Sequence, residues 1–177
     1  KKIVDQASDM GVPSIKLNWR GEPLMHPKLP RMIDYAKRKG IIEVIINTNA
    51  THLSVNTSQK LIDAGLDLMI YSFDGGTKET YERMRPGRFK ENSFDMVYKN
   101  IVEFSKIRKQ NGAKFPRTKI QMILTEETHK EQESFYNLFN DCVDEVTVTQ
   151  YSERGGNIED MSESDQQAYE NLCRSLD

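Results

Sequence analysis

The segment Gly21-Glu22-Pro23 presents a carboxylate in a restricted stretch of backbone. Gly21 lets another molecule approach the backbone closely because it carries no side chain. Pro23 favours an extended conformation for the residue before it, so Glu22 is held at a defined position instead of entering a helix. A carboxylate presented in this way can form a charge-assisted hydrogen bond with an ammonium group. A lone Gly-Glu-Pro is also typical of an ordinary surface turn.

Polar residues also follow other short apolar segments. These clusters are Asn47-Thr48-Asn49, Ser72-Phe73-Asp74-Gly75 and Tyr151-Ser152-Glu153-Arg154. In parallel α/β folds, ligands bind at the carboxyl ends of the strands. Turn formation alone also places polar residues there, but the co-occurrence of several clusters favours a shared site.

The apolar periodicity predicts strands that alternate with helices along nearly the whole chain. Strands are predicted at 14–19, 41–47, 66–73, 118–124 and 145–151, and helices at 1–10, 30–40, 58–64, 77–84, 94–112 and 135–143. This alternation indicates right-handed βα units around a parallel sheet, either doubly wound or part of a barrel. We favour an α/β partial (β/α) barrel with a curved sheet, because a complete barrel needs roughly 250 residues.

The predicted domain organisation is a barrel core over 1–152, followed by a linker and a terminal helix over 153–177. The chain begins with Lys1 in what reads as the body of a helix, which suggests a fragment of a longer protein. We therefore expect a barrel truncated before its first strand, with a C-terminal extension missing after the terminal helix.

Composition is typical of a soluble protein and argues against a general nucleic-acid or membrane binder. Lys and Arg number 25 against 27 Asp and Glu, for a net charge of −2. The sequence has no run of about 18 apolar residues and no signal peptide, so a cytoplasmic location is expected. Cys142 and Cys173 are too few and too far apart for a disulfide framework or a closed metal site, and are expected to be reduced thiols.

The order of these motifs resembles the radical S-adenosylmethionine (SAM) enzymes, from the second strand of that family's partial barrel onward. Arg20-Gly21-Glu22-Pro23 resembles the Gly-Gly-Glu-Pro turn that holds the methionyl amino group, with Arg20 in place of the first Gly. Thr48-Asn49-Ala50-Thr51 resembles a Thr-Asn-Gly-Thr segment, with Ala50 in place of Gly. Ser72-Phe73-Asp74-Gly75 resembles the Ser-x-Asp-Gly segment on the ribose side of the cofactor. The stretch 80–95 resembles members with a SPASM-type C-terminal extension, and the match covers about 140 residues in order.

The resemblance implies a set of cofactor-binding residues and no metal ligand in this chain, and it leaves the catalytic residues unknown. The set is Gly21, Glu22, Pro23, Asn49, Ser72, Asp74, Arg85 and Gln121. Glu22 would pair with the ammonium group of SAM, and Asp74 would accept hydrogen bonds from the ribose. Arg85 would meet the cofactor carboxylate, and Gln121 would reach the adenine if it points inward.

The resemblance also implies the activity of an iron–sulfur oxidoreductase. A reduced 4Fe–4S cluster would cleave SAM, and the resulting 5′-deoxyadenosyl radical would abstract a hydrogen atom from the substrate. The family's Cys-x-x-x-Cys-x-x-Cys loop belongs upstream of Lys1 and is absent from this sequence, and Cys142 and Cys173 cannot replace it. The fragment alone is therefore expected to be inactive.

The expected partners of the longer protein are a small-molecule or peptide substrate and a reductant for the cluster. Neither nucleic acid nor membrane is expected as a partner. Because truncation would leave strand 14–19 at an open sheet edge, self-association through that edge or pairing with a strand of a partner is also expected.

Two other functions remain open from the residues. One is a Schiff-base lyase in which Lys16 or Lys119, each on a strand, acts as the nucleophile. The other is a non-catalytic βα binding module.

Overall fold

The computed structural model describes residues 1–18, 21–85 and 93–150. Several predictions concern residues outside these ranges, and they remain predictions. They are the positions of Trp19 and Arg20, residues 86–88 of a loop that the sequence also predicts at 85–88, the strand-end cluster at 151–154, the linker and terminal helix of 153–177, and the state of Cys173.

Within the described ranges five parallel strands form one sheet, in which the strand order follows the sequence. The strands are β1 Ser14–Lys16, β2 Glu43–Thr48, β3 Leu68–Ser72, β4 Arg117–Leu124 and β5 Glu145–Gln150. The predicted fold class, an open α/β sheet of parallel strands as in a partial barrel, is confirmed.

Helices connect the strands. They are α1 Lys2–Asp9, α2 Leu29–Arg38, α3 Val55–Asp63, α4 Lys78–Met84, α5 Ser93–Gln110 and α6 Gln132–Phe139, and 3₁₀ turns occur at Pro23–Met25 and His129–Glu131. Helix α3 begins earlier than predicted because the Ser54 side chain accepts a hydrogen bond from Thr57 N–H and caps the first turn. Successive strands lie side by side in one direction across the sheet. Because the connections between parallel strands are right-handed, the connecting helices then lie on the same face of the sheet.

The two faces of the sheet differ in burial. Val44 and Ile46 of β2 are fully buried, while Ile45 and Asn47 between them are only half-buried. The same alternation occurs in β3 and in most of β4. A nearly continuous β-branched run such as that of β2 is typical of a strand buried on both faces, but the second face of β2, which we call the concave face, is only half-buried.

The hydrophobic core lies between the sheet and the helices. Helical side chains such as Ile33, Leu61, Phe104 and Phe135 pack there against strand residues such as Tyr71. At the carboxyl end of β3, the Phe73 ring stacks on Tyr81 of α4 with a centroid distance of 4.1 Å. This contact fixes α4 beside the end of the strand that carries Ser72.

In the described part of the chain, no helix has both the length and the apolar character required to cross a bilayer.

Candidate functional site

The carboxyl ends of β2 and β3 border a cavity of about 320 Å³. Its lining residues are Asn18, Gly21, Glu22, Asn47, Thr48, Asn49, Ser72 and Arg85. The structure thus brings together five of the predicted site residues, Gly21, Glu22, Asn49, Ser72 and Arg85. They come from segments far apart in the sequence, as expected for parallel strands whose carboxyl ends meet at one edge.

Hydrogen bonds hold the Glu22 carboxylate in the cavity wall. Glu22 is extended, with φ −96° and ψ 116°, and its Oε1 accepts a hydrogen bond from Leu24 N at 3.1 Å. The Thr48 hydroxyl donates to the same oxygen at 2.6 Å, and Asn49 N donates to Oε2 at 2.8 Å. A carboxylate offers about four acceptor positions, so Glu22 can still receive a donor from a ligand. Its negative charge is therefore fixed at a defined point in the cavity.

The turn after β2 depends on an alanine in a left-handed conformation. Ala50 has φ 57° and is fully buried. Its N–H donates to the Thr48 hydroxyl at 3.0 Å, and its carbonyl accepts from Asn100 Nδ2 at 2.9 Å. This conformation costs an alanine about 1–2 kcal/mol, whereas glycine adopts it freely. These hydrogen bonds hold Ala50 in a backbone conformation that glycine would adopt without strain.

Asp74 and Arg85 form a pair that the sequence did not predict. Asp74 Oδ2 accepts hydrogen bonds from Arg85 Nε at 2.8 Å and Nη2 at 2.6 Å, while Oδ1 accepts from Ile123 N at 3.0 Å. Only 7% of Asp74 is exposed, and Arg85 rather than Asp74 lines the cavity. The carboxylate therefore holds the guanidinium at the cavity wall, and its contact with a ribose remains a prediction.

Asn18, Asn47 and Thr48 also line the cavity and were missing from the predicted set. Asn18 Oδ1 accepts a hydrogen bond from Asn47 N at 3.3 Å. Asn47 Oδ1 is buried and has no partner. The alternation of β2 could have identified Asn47, since Thr48 and Ile46 point to the helical side and Asn47 to the other side.

The remaining predicted residues lie outside the cavity wall. Pro23 lines a neighbouring groove of about 850 Å³ that also contacts Gly21 and Glu22. Gln121 lies beside Ser72 in the sheet register and is half-buried on the concave face. Its carbonyl accepts a hydrogen bond from Phe73 N at 3.0 Å. The contact between the Gln121 side chain and a ligand stays a prediction.

The charges of the cavity suit a zwitterionic ligand. The Glu22 carboxylate offers a partner for a cation and the Arg85 guanidinium a partner for an anion. Ser72 and the asparagines supply neutral hydrogen-bonding groups between them. Its volume of about 320 Å³ falls at the lower end of the usual range for small-molecule sites.

The strand lysines do not have the surroundings of a Schiff-base nucleophile. Such a lysine is activated by desolvation or by a neighbouring cation. Lys16 is exposed, and Lys119 pairs with Glu145 at 2.8 Å on the concave face. These environments disfavour the lyase alternative.

The described residues also contain no group of three or more His, Cys, Asp or Glu side chains that could hold a metal ion. Cys142 is half-buried beside α6, where burial raises the pKa of its thiol. A raised pKa keeps the thiol protonated, which is unfavourable for metal binding.

Comparison with known proteins identifies a family over most of the chain. The sequence profile of the Radical SAM superfamily matches residues 2–139. A probable GTP 3′,8-cyclase of Methanococcus maripaludis is 37% identical over 86 residues, which are 49% of this chain and 28% of that protein. An Fe-coproporphyrin III synthase of Methanosarcina barkeri is 34% identical over 85 residues, which are 48% of this chain and 21% of that protein.

Solved structures agree with the fold. Streptococcus suis SuiB bound to S-adenosylmethionine superimposes with a TM-score of 0.66 and 18% identity, over 98% of this chain and 40% of that chain. A second crystal structure of Streptococcus suis SuiB gives a TM-score of 0.68 at 17% identity, over 98% of this chain and 40% of that chain. At such identities the likeness concerns the fold alone. The chain spans less than a third of the matched curated relatives and 40% of SuiB.

Proposed function

Because the chain belongs to the radical SAM superfamily, we propose that its 320 Å³ cavity is part of the SAM-binding site of a radical SAM enzyme. The observation that carries the proposal is the Glu22 carboxylate, which two backbone N–H groups and the Thr48 hydroxyl fix in the cavity wall. A carboxylate held in this way is preorganised to receive an ammonium group.

The described residues fit SAM as a ligand. Glu22 would bind the methionyl ammonium, and Arg85, oriented by Asp74, would bind the carboxylate. Ser72 and Asn49 would hydrogen-bond the nucleoside. Two opposite charges in one cavity therefore match the two charges of the amino-acid end of the ligand.

A 4Fe–4S cluster does not fit this chain. The sequence contains 2 cysteines, whereas the family's cluster loop supplies three thiolates. We propose that another part of a longer protein supplies them. The chemistry proposed for that protein is that of a radical SAM oxidoreductase: those thiolates would hold a cluster that supplies the electron for cleavage of SAM, and SAM would be the source of the 5′-deoxyadenosyl radical that abstracts a substrate hydrogen atom.

The proposal predicts different behaviour for the chain and for the longer protein. Without cluster coordination, SAM would keep only contacts worth about 0.5–1.5 kcal/mol each, too little to offset the cost of immobilising it. The chain should therefore bind SAM weakly, hold no iron and leave SAM uncleaved. The longer protein, reconstituted anaerobically, should contain iron and cleave SAM. If the longer protein contains no iron, it is a non-catalytic βα binding module.

Glu22→Gln in the longer protein tests the proposed site. This variant should lower SAM affinity at least tenfold in calorimetry, because the charge opposite the ammonium is lost, with the iron content unchanged. Glu43→Gln is the matched control, since Glu43 lies at the other end of β2 and accepts a hydrogen bond from Ser14 at 2.8 Å. Unchanged SAM affinity in Glu22→Gln, or loss of iron, would show that Glu22 has another role.

A further inference from the structure

The carboxylate of Glu131, on the 3₁₀ turn before α6, receives hydrogen bonds from the two residues that precede α4 and from Thr80 in its first turn. Glu131 Oε2 accepts from Gly76 N at 2.7 Å and from Thr77 N at 3.2 Å. Oε1 accepts from the hydroxyls of Thr77 at 2.9 Å and Thr80 at 2.6 Å. One side chain from the connection after β4 thus satisfies donors at the start of α4, some of which have no partner inside the helix.

Two glycines allow the chain segments to approach closely at this point. A Cβ atom added to Gly76 would lie 2.4 Å from the Glu131 carbonyl oxygen. A Cβ atom added to Gly75 would lie 2.7 Å from Tyr81 N, and Gly75 has φ 145°. Both distances are too short for any other residue without movement of the backbone. The two glycines therefore allow the segment Asp74-Gly75-Gly76 to pack directly against α4 and Glu131.

Helix α4 links this contact to the cavity. It begins after its N-cap Thr77 and ends at its C-cap Arg85, whose guanidinium binds Asp74 and lines the cavity. Because the helix has only 7 residues, a change of tilt at its first turn also moves its last turn. The position of the Arg85 backbone is therefore sensitive to how the first turn is held.

We propose that Glu131 is a positioning residue that sets the orientation of Arg85 and, through it, the affinity of the cavity for a ligand carboxylate. The effect on affinity for a ligand carboxylate rests on the proposed function, whereas the effect on Arg85 does not. Glu131 touches neither the cavity nor Arg85 and acts only through α4. The Phe73–Tyr81 stack at 4.1 Å also holds α4 on the sheet, so loss of the Glu131 contacts should shift the helix rather than unfold it.

The first experiment follows Arg85 itself in the full chain. Nuclear magnetic resonance would measure the solvent exchange rate of the Arg85 Nε–H, which the hydrogen bond to Asp74 protects. Glu131→Ala should raise this rate roughly three- to tenfold, as expected when local stability falls by about one hydrogen bond. Glu131→Gln should keep it near the original value, because its amide oxygen can accept from the N–H groups and its amide N–H₂ can donate to the threonine hydroxyls.

Glu127→Ala is the matched control. Glu127 lies in the same connection and binds Arg83 of the same helix at 2.7 Å, but it is exposed and does not contact the first turn. Its removal should leave the exchange rate of Arg85 unchanged. If Glu131→Ala does not fold, Thr80→Val replaces it, because valine has the shape of threonine and removes one hydroxyl donor to Glu131.

The second experiment measures binding by the longer, cluster-bearing protein. Glu131→Ala should lower affinity for SAM several-fold and leave affinity for decarboxylated SAM unchanged, whereas a general loss of structure would weaken both. An unchanged Arg85 exchange rate in a folded Glu131→Ala, or an equal loss of affinity for both ligands, overturns the inference. Suppose instead that Glu131→Ala alters the Arg85 exchange rate but the unsubstituted longer protein does not bind SAM. This result would support the positioning role of Glu131 and reject the proposed function.

Discussion

Asn47 places a buried side-chain oxygen without a partner in the wall of the cavity. An acceptor left unsatisfied in this way costs about 1–3 kcal/mol. A ligand that donates a hydrogen bond to it would recover this free energy on binding. The unpaired oxygen therefore indicates a binding contact.

Asn47→Leu should separate binding from stability. Leucine has a similar size and removes the unsatisfied acceptor, so the melting temperature should stay the same or rise, while SAM affinity of the longer protein falls about three- to tenfold. Thermal unfolding and calorimetry measure the two effects. Asn100→Leu is the control: Asn100 donates to the Ala50 carbonyl at 2.9 Å, so its loss should lower the melting temperature. A marked loss of stability in Asn47→Leu would contradict this interpretation.

Asp74→Ala should weaken cofactor binding in the longer protein without removal of iron. The substitution frees Arg85 and leaves Ile123 N–H without its acceptor, so the free energy of unfolding should also fall by about 1–3 kcal/mol. Calorimetry, denaturant titration and iron analysis would check the three outcomes. Iron loss in a folded Asp74→Ala would mean that Asp74 serves the cluster instead.

The sequence could predict most of the individual cavity residues but not how they pair. Glu22, Asn49 and Ser72 were found because each lies at or just after the end of a predicted strand, and strand ends meet at one edge of the sheet. The pairing of Asp74 with Arg85 depends on the direction of α4, which Glu131 helps to hold from far along the chain. No local pattern carries that information.

At the scale of elements, a second ion pair joins α5 to the opposite end of the sheet. Arg108 of α5 binds Asp144, the residue before β5, and donates to the Pro116 carbonyl at 2.9 Å. Asp144 also accepts from Thr118 N of β4 at 2.6 Å. The carboxylate thus ties one helix to the starts of two strands.

Stability should fall at low pH through this carboxylate. Partial burial raises the pKa of Asp144, but the hydrogen bonds from Arg108 and Thr118 outweigh it and lower the pKa to about 2, from an ordinary 3.8. Since the pKa of Asp144 is lower in the folded state than in the unfolded state, its ionised carboxylate stabilises the fold. This contribution is complete above about pH 4 and is lost as the pH falls towards 2. The free energy of unfolding of Asp144→Asn should vary less with pH across this range than that of the unsubstituted chain.

Urea unfolding at a series of pH values would measure this difference. Asp141→Asn is the control, because Asp141 lies nearby, is exposed and should not change the slope. An equal slope in all three proteins would show that solvent screens the Asp144 pair completely.

The types and order of the described elements agreed with the predictions, and their limits differed by a few residues. The main differences have local causes, such as the Ser54 cap that starts α3 early. The burial of β2 could not be predicted from its β-branched residues, because the same composition suits a strand covered on one face or on two. Whether the concave face of β2 is covered depends on the arrangement of the whole molecule and not on the sequence of the strand.

For the molecule as a whole, the described sheet has an open edge at β1, which pairs with β2 alone among the described strands. Beside it lies the 850 Å³ groove, whose apolar lining includes Ile3 and Met25. Their exposed fractions are 81% and 62%. An unpaired strand edge next to exposed apolar side chains favours association with another chain.

We therefore expect the chain to self-associate in a concentration-dependent manner. Sedimentation velocity over a range of concentrations would detect this. Ile3→Glu with Met25→Glu should shift the chain towards monomer, whereas Val55→Glu, on the exposed surface of α3, should not. A monomer at every concentration would contradict the expectation.

The order of strands in the sheet also affects how the chain can fold. Among the described strands, each of β2 to β5 pairs with the strand that precedes it in the sequence, about 25 to 50 residues away, and none is inserted between two that are already paired. A chain leaving the ribosome could then add each βα unit to a surface already in place. The sheet can therefore grow from one edge in the direction of synthesis, and each newly paired strand is the template for the next.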